Sequence, residues 1–377
     1  MSAPPQSTAS PANSSTGVPS TLTGAEAPSF VGVHMVDADT GWAIADIGLL
    51  HTTDGGRSWA LRNPEGVKPV GLQPSPATHA WGNAAFTGSS EGWVAAAGPG
   101  AVTVFHTADA GQSWSAATVE PESDAEMGQS DTPAVIGLDF PTPTDGWLLT
   151  TAGGIAAGVQ DIELYRTADA GATWKLLAVA TQQRPSPGGL PAGGVKTGIG
   201  FTGLDRGWIT GYRGSQPGMW LYETADGGKT WHTSALPTPA GISTAASPQS
   251  FPPHFTKVGD EVIPVTWPGA ASTTVFYVTK DDGATWHATT PIESADPMQL
   301  WTWPTDRDAA ATSDTTWCVT DNAGDTWHCE PLPAALRGIS DLQFTSPQAG
   351  WAIADGGLLT TTNNGRSWKP VATRLAK

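Results

Sequence analysis

The sequence predicts an all-β fold: a seven-bladed β-propeller with four antiparallel strands per blade and one fixed turn between the third and fourth strands of each. Two recurring signals predict it. The first is the eight-residue run Thr52-Thr53-Asp54-Gly55-Gly56-Arg57-Ser58-Trp59, framed as hydroxyl residue, any, Asp, any, Gly, any, Ser or Thr, Trp. The frame returns at Thr107 to Trp114, Thr167 to Trp174, Thr224 to Trp231 and Thr279 to Trp286, and with Asn322 or Asn363 in the Asp slot at Thr320 to Trp327 and Thr361 to Trp368. The second signal is Gly-Trp at Gly41, Gly92, Gly146, Gly207 and Gly350. Seven residues before each of those tryptophans stands Met35, Phe86, Phe140, Phe201 or Phe344.

The turn has a physical logic. Each of Asp54, Asp109, Asp169, Asp226 and Asp281 can accept hydrogen bonds from the amides that follow it, and Asn322 and Asn363 keep the acceptor without the charge. Glycine at the fifth position supplies a positive φ. The closing tryptophans, Trp59, Trp114, Trp174, Trp231, Trp286, Trp327 and Trp368, open the next strand and can lay a ring over the turn. Upstream, the residues two before the Met or Phe (Val33, Ala84, Leu138, Ile199 and Leu342) complete a period-2 strand. Each unit reads as strand A, a short turn, strand B from Gly-Trp, strand C into the repeated turn and strand D out of it. Units five and six lack Gly-Trp, but Val262 to Trp267 and Asp308 to Ser313 take its place.

These units divide the chain into blades at about 28–62, 79–118, 134–180, 195–236, 250–290, 297–333 and 337–372. Blades one and seven are nearly identical, GWAIADIGLL from Gly41 against GWAIADGGLL from Gly350. Both look complete, so no exchanged strand is expected and closure is assigned to face-to-face packing of these two blades. Residues 1–27 differ from the 28–377 propeller. They are almost entirely Ser, Thr, Pro, Ala and Gly with Glu26 as the one charge. Such a segment cannot bury a core and reads as a flexible tether. The expectation is that a secretion or lipoprotein signal once preceded it and was removed, with Met1 added; a disordered cytoplasmic terminus is the alternative.

Charge excludes some partners. A net charge of −17 with 18 scattered Lys and Arg argues against nucleic acid and against anionic membrane surfaces. Any membrane attachment would run through the removed N-terminal anchor, and a monomer is expected. The two cysteines point to the compartment. Thr320 and Trp327 should face one another across their hairpin, and two positions farther out Cys318 comes opposite Cys329. Facing cysteines at that separation can form a cross-strand disulfide, a bond that persists outside the cytosol. Two buried thiols are the alternative. No metal site or cofactor is expected: His232, His287 and His328 follow the turn tryptophans of separate blades, and His51 and His106 precede their turns likewise.

Loop length carries most of the functional signal. In a four-stranded meander the A–B and C–D turns lie on one face and the B–C and D–A connections on the other. The insertions at 64–78, 121–133, 152–161, 182–194, 211–218 and 237–250 all belong to the second face, where variable loops on a rigid scaffold usually bind. Candidate contacts there are Arg184, Tyr212, Arg213, Gln216 and Trp220, with the acidic Asp124, Glu126 and Asp131. The turn-bearing face is taken as scaffold.

The turn frame resembles the Asp-box of bacterial neuraminidase repeats over essentially all of 28–372. Gly-Trp followed by Leu49-Leu50-His51-Thr52-Thr53-Asp54-Gly55-Gly56-Arg57-Ser58-Trp59 is most similar to the photosystem II assembly-factor type, a style shared by extracytoplasmic propellers. The resemblance implies a propeller. It leaves function open among three readings. The first is a non-catalytic binding or scaffold propeller recognising a protein or glycan at the cell envelope. The second is a glycoside hydrolase. A sialidase's arginine triad is missing from the A strands, so a two-carboxylate site would rest on Asp139 with Asp161 or Glu163, and Trp267, Trp301 and Trp303 would offer a sugar-stacking platform. The third is a photosystem assembly chaperone, a family expected to present a basic patch, whereas the ten arginines here are spread around the ring.

Overall fold

The computed structural model describes residues 15–16, 27–67, 83–122, 133–156, 158–181, 186–214, 218–234, 236–239, 241–242, 247–256 and 260–376, with the backbone only for 15–16 and 152–156. Seven antiparallel sheets form a ring of seven blades. In blade three the strands are Val135–Asp139, Gly146–Ala156, Val159–Thr167 and Lys175–Ala180, A to D in order. The other blades repeat this order. Blade five departs most: its inner edge is split into Gln249–Ser250 and His254–Phe255, and its outer edge into His287–Ala288 and Ile292–Ser294.

The Gly-Trp signal is explained at the seams between blades. Trp93 stacks on Phe140 of the next blade at 4.0 Å between ring centroids, and Trp147 stacks on Phe201 at 3.7 Å. The same phenylalanines meet their own blade's turn tryptophans edge to face, Phe140 with Trp174 and Phe201 with Trp231. Offset and T-shaped contacts of this kind add to the apolar burial. The preceding glycine must be bare because the strand A ring lies on it: a β-carbon at Gly146 would come within 2.5 Å of Phe140, and one at Gly207 within 2.5 Å of Phe201. Blade five has Glu261 in this slot, in register with Thr279 as Gly207 is with Thr224.

The repeated turn is a hydrogen-bonded knot. In blade one, Asp54 Oδ1 accepts the Ser58 amide at 2.8 Å and Oδ2 accepts the Ser58 hydroxyl at 2.6 Å, while Thr52 Oγ1 accepts the Gly56 amide at 3.0 Å. Asn inverts one of these bonds: the Asn322 and Asn363 amide nitrogens donate to Thr326 and Ser367 Oγ, each at 2.9 Å. The residue after the Asp or Asn takes a positive φ, and in every blade but the fifth its amide docks on the A–B turn of the same blade, as Ala110 does on Ser90 O and Gly227 on Asp205 O. The turn tryptophans share no single bond. Trp59, Trp174 and Trp231 donate to their own turns and Trp114 donates to Arg62 O, whereas Trp286, Trp327 and Trp368 have buried N–H groups without a partner among the described residues.

Ring closure differs from the sequence expectation. Blades one and seven do pack together, with Phe30, Val33 and Met35 against Trp351, Ile353 and Leu358. The Val33 amide donates to Asp341 Oδ2 at 2.7 Å. Beyond this, Arg374–Leu375 adds parallel to the outer strand Ser58–Leu61 of blade one, so the far end of the chain does contribute a strand. An outermost strand is hydrogen-bonded on one side only and can accept another. Within the proposed tether, Ser15–Thr16 pairs with Ser113 and Trp114 of blade two; the rest of 1–26 lies outside the described residues.

The disulfide forms as expected. Cys318 and Cys329 are register partners joined by an S–S bond, with 4.1 Å between their Cα atoms. No helix of the described residues is long and apolar enough to cross a membrane.

Candidate functional site

The carboxylates proposed for catalysis are not brought together. Asp139 is level with Trp147, which is level with Arg166 on strand C. Asp161 is five residues along that strand and Glu163 three. At about 3.3 Å per residue they lie roughly 16 and 10 Å away before the lateral offset of two strands is added. Glycosidase pairs need separations of roughly 5 to 9.5 Å. The side chains also diverge. Asp139 Oδ2 accepts the Phe201 amide of blade four at 2.8 Å. Glu163 accepts the hydroxyl of Tyr165, whose oxygen also lies 3.3 Å from Glu120 O of blade two. Burial pushes the Asp139 carboxyl up to about 7 and raises that of Glu163. Asp161 instead favours the charged form of the nearby Lys196.

Asp139 is one of several such links in the ring. The residue before the strand A aromatic also reaches the backbone of the next blade in blades six and seven: Thr302 accepts the Phe344 amide at 3.1 Å, and Gln343 binds both the amide and the carbonyl of Met35. His254 occupies the same position, with a backbone bond to Trp303, and its burial pushes it down to about 4. These polar groups near the axis join blades.

The candidate loop contacts divide. Arg184, Gln216, Asp124, Glu126 and Asp131 lie outside the described residues. Tyr212 and Arg213 end strand B of blade four half-buried, and the Arg213 Nε is buried without an acceptor among the described residues. Trp220 must be corrected. It is 2% exposed, part of the core shared by blades three and four, and its indole N–H is held by Gly193 O at 2.6 Å. The sugar platform is corrected likewise, because Trp267 and Trp303 are buried and Trp301 packs on Phe251 and Phe276.

Sequence reasoning missed Lys196. Its ammonium is buried beside Trp220, 5.0 Å from the ring centroid, and donates to the carbonyls of Gln160, Ala192, Gly193 and Gly194. Burial pushes it down to about 7, and Asp161 opposes that shift. The lysine pins the connection between blades three and four to the B–C end of blade three. Its context of Gly193, Gly194 and Val195 carried no signal, because the four carbonyls converge only when two blades meet.

An open cleft of about 460 Å³ lies between blades six and seven. Its floor is Trp317 and Val319; its walls include Asp321, Thr326, His328 and Glu330 of blade six with Asn364 and Arg366 of blade seven. It lies beside the repeated turns, on the side expected to be scaffold. Histidines elsewhere are engaged: His51 with Ser89 O, His106 with Glu91 at 2.8 Å and His287 with Asp325 at 3.1 Å. Among the described residues no group of three His, Cys, Asp or Glu could hold a metal ion.

No protein-family model matches the chain, and neither does any curated protein. Solved structures do match. YCF48 bound to D1 peptide is similar at 18% identity and a TM-score of 0.53, over 89% of this chain and 92% of that one. YCF48 from Cyanidioschyzon merolae is similar at 16% identity and 0.53, over 90% and 97%. The GH74 enzyme of Niastella koreensis is similar at 13% identity and 0.56, over 93% of this chain but 53% of the enzyme, so this chain spans about half its length. Identities this low show a shared fold.

Proposed function

We propose that this protein is a non-catalytic binding or scaffold propeller that works outside the cytoplasm, held at the cell envelope through its N-terminal segment, and recognises a protein or a glycan. The observation that carries this reading is the fate of the carboxylates. Asp139 joins two blades, Glu163 is engaged by Tyr165 of its own strand, and Asp139 forms no acid pair of hydrolytic spacing with Asp161 or Glu163. The repeated turns, similar to Asp-boxes, hold themselves and their A–B turns together. The cross-strand disulfide supports an extracytoplasmic site of action.

Correspondence with nearly the full length of YCF48 supports a single propeller acting as a binding body, and the half-length correspondence with GH74 lends the hydrolase reading little. The B–C and D–A loops, with Tyr212 and Arg213, are the proposed recognition face. The test combines capture from cell-envelope extract, a glycan array and a mixed polysaccharide panel. Selective capture or array binding without sugar release is expected. Sugar release abolished by Asp139→Asn, or silence in both binding assays, overturns the reading.

A further inference from the structure

Several charges on neighbouring strands and blades of this ring are paired, as in Arg166 with Asp145 at 3.3 Å, His106 with Glu91 and His287 with Asp325. The cleft between blades six and seven is different. Asp321, His328, Glu330 and Arg366 line it, and none of their charged groups has a partner among the described residues. Beside it runs His328–Pro331, the terminal strand of its sheet and exposed at all four residues. Strand D is only two residues long in blades four and seven, and in blade three its last three residues are buried.

The register orients this edge. Val319 pairs with His328 and Trp317 with Glu330, so His328 and Glu330 share the side that faces blade seven and the cleft. Cys318 and Cys329 point the other way, toward the core shared with blade five, and tie the outer strand to its neighbour. The free edge is thereby held extended. The molecule itself shows that such an edge accepts a strand: on blade one, Arg374 N donates to Arg57 O at 3.1 Å and Ala376 N to Trp59 O at 2.7 Å.

We propose that the outer edge of blade six captures an extended peptide by strand addition, with alternate side chains of the guest lowered into the cleft. Backbone bonds would supply affinity and the cleft selectivity, as in other strand-addition complexes. The guest is basic. Two carboxylates face one guanidinium in the lining, and a chain of net charge −17 steers cations toward it. This rests on the reading of the protein as a binder and names one surface and one class of partner.

The probe is a fluorescein-labelled nonapeptide alternating lysine with threonine and valine, titrated into the full chain and followed by anisotropy. A copy N-methylated at alternate amides cannot complete an edge and should bind roughly tenfold or more weakly. Asp321→Asn with Glu330→Gln should weaken the unmodified peptide by at least about fivefold. Glu65→Gln with Glu293→Gln removes equal charge at exposed positions away from the cleft and should change binding less than about twofold. All four sites are exposed, and circular dichroism confirms that the variants fold. Absence of binding, equal binding of the methylated peptide, or equal loss in both double variants overturns the proposal. Failure of the peptide arms alongside intact envelope capture by the wild type sinks this surface while leaving the binder reading, which rests on the loop face, intact.

Discussion

Asp139 Oδ2 takes the backbone amide of Phe201 at 2.8 Å, so an acid of blade three fastens strand A of blade four. Asparagine keeps an acceptor there without a charge to bury, and alanine leaves the amide unmet. Asp139→Ala should cost about 1–3 kcal/mol, whereas Asp139→Asn should be neutral or stabilising at pH 8. Burial raises this carboxyl to about 7 in the fold against 3.8 normally. The native state therefore holds the proton longer, and wild-type stability falls between about pH 4 and 7 through this group. Melting of both variants at pH 4 and pH 8 reads the difference.

The repeated turns behave oppositely in acid. Slight burial works to raise the Asp226 carboxyl, but hydrogen bonds from Thr230 and Thr224 outweigh it and hold the group below its ordinary value. A depressed acid contributes stability above its unfolded pKa and loses it as pH falls through the folded one. Asp226→Asn should stay within about 0.5 kcal/mol of wild type at pH 7 and remove that turn's acid sensitivity, as the natural Asn322 and Asn363 turns suggest. Asp226→Ala should cost about 1–2 kcal/mol. Denaturant titrations at pH 3.5 and pH 7 separate the two.

Glu261 occupies the slot of the Gly-Trp glycine, and both of its carboxylate oxygens are buried without a partner among the described residues. Burial first, then Asp282, raises it to about 8, against the opposing pull of Arg206. Its proton is kept in the fold and lost from the unfolded chain between about pH 4.5 and 8, so the destabilisation grows across that window. Glu261→Gln should match wild type at pH 4 and exceed it by about 1 kcal/mol or more at pH 8. Equal gains at both pH values would contradict this.

Removal of residues 374–377 should leave a folded ring with a looser first seam. Two backbone hydrogen bonds and the Leu375 contact with the blade one core disappear. The expected loss is about 2–3 kcal/mol, seen as a lower melting temperature and faster amide exchange at Ser58–Leu61.

Serine at Cys318 and Cys329 opens a loop closed across a separation of 11 residues. Chain entropy sets the loss at about 3 kcal/mol. Reductant should destabilise wild type by a comparable amount and leave the double variant unchanged.

Blade number, strand order and the disulfide were all readable in the chain. A turn frame recorded seven times, and cysteines symmetric about one of those turns, depend on residues near in sequence. Loop composition was readable as well, but it drew attention to Trp220, whose ring belongs to the core. Lys196, Glu261 and the cleft of Asp321, Glu330 and Arg366 carried no local pattern.

The linear chain by itself determined the local geometry, because hairpin turns and alternating strands are specified by neighbours within about ten residues. Tertiary structure decided which polar groups join blades and which stay open. Asp139 meets Phe201, four carbonyls surround Lys196, and the last strand returns to blade one only when the ring closes. Contacts between blades join residues tens to hundreds of positions apart, and no periodicity along the chain encodes them.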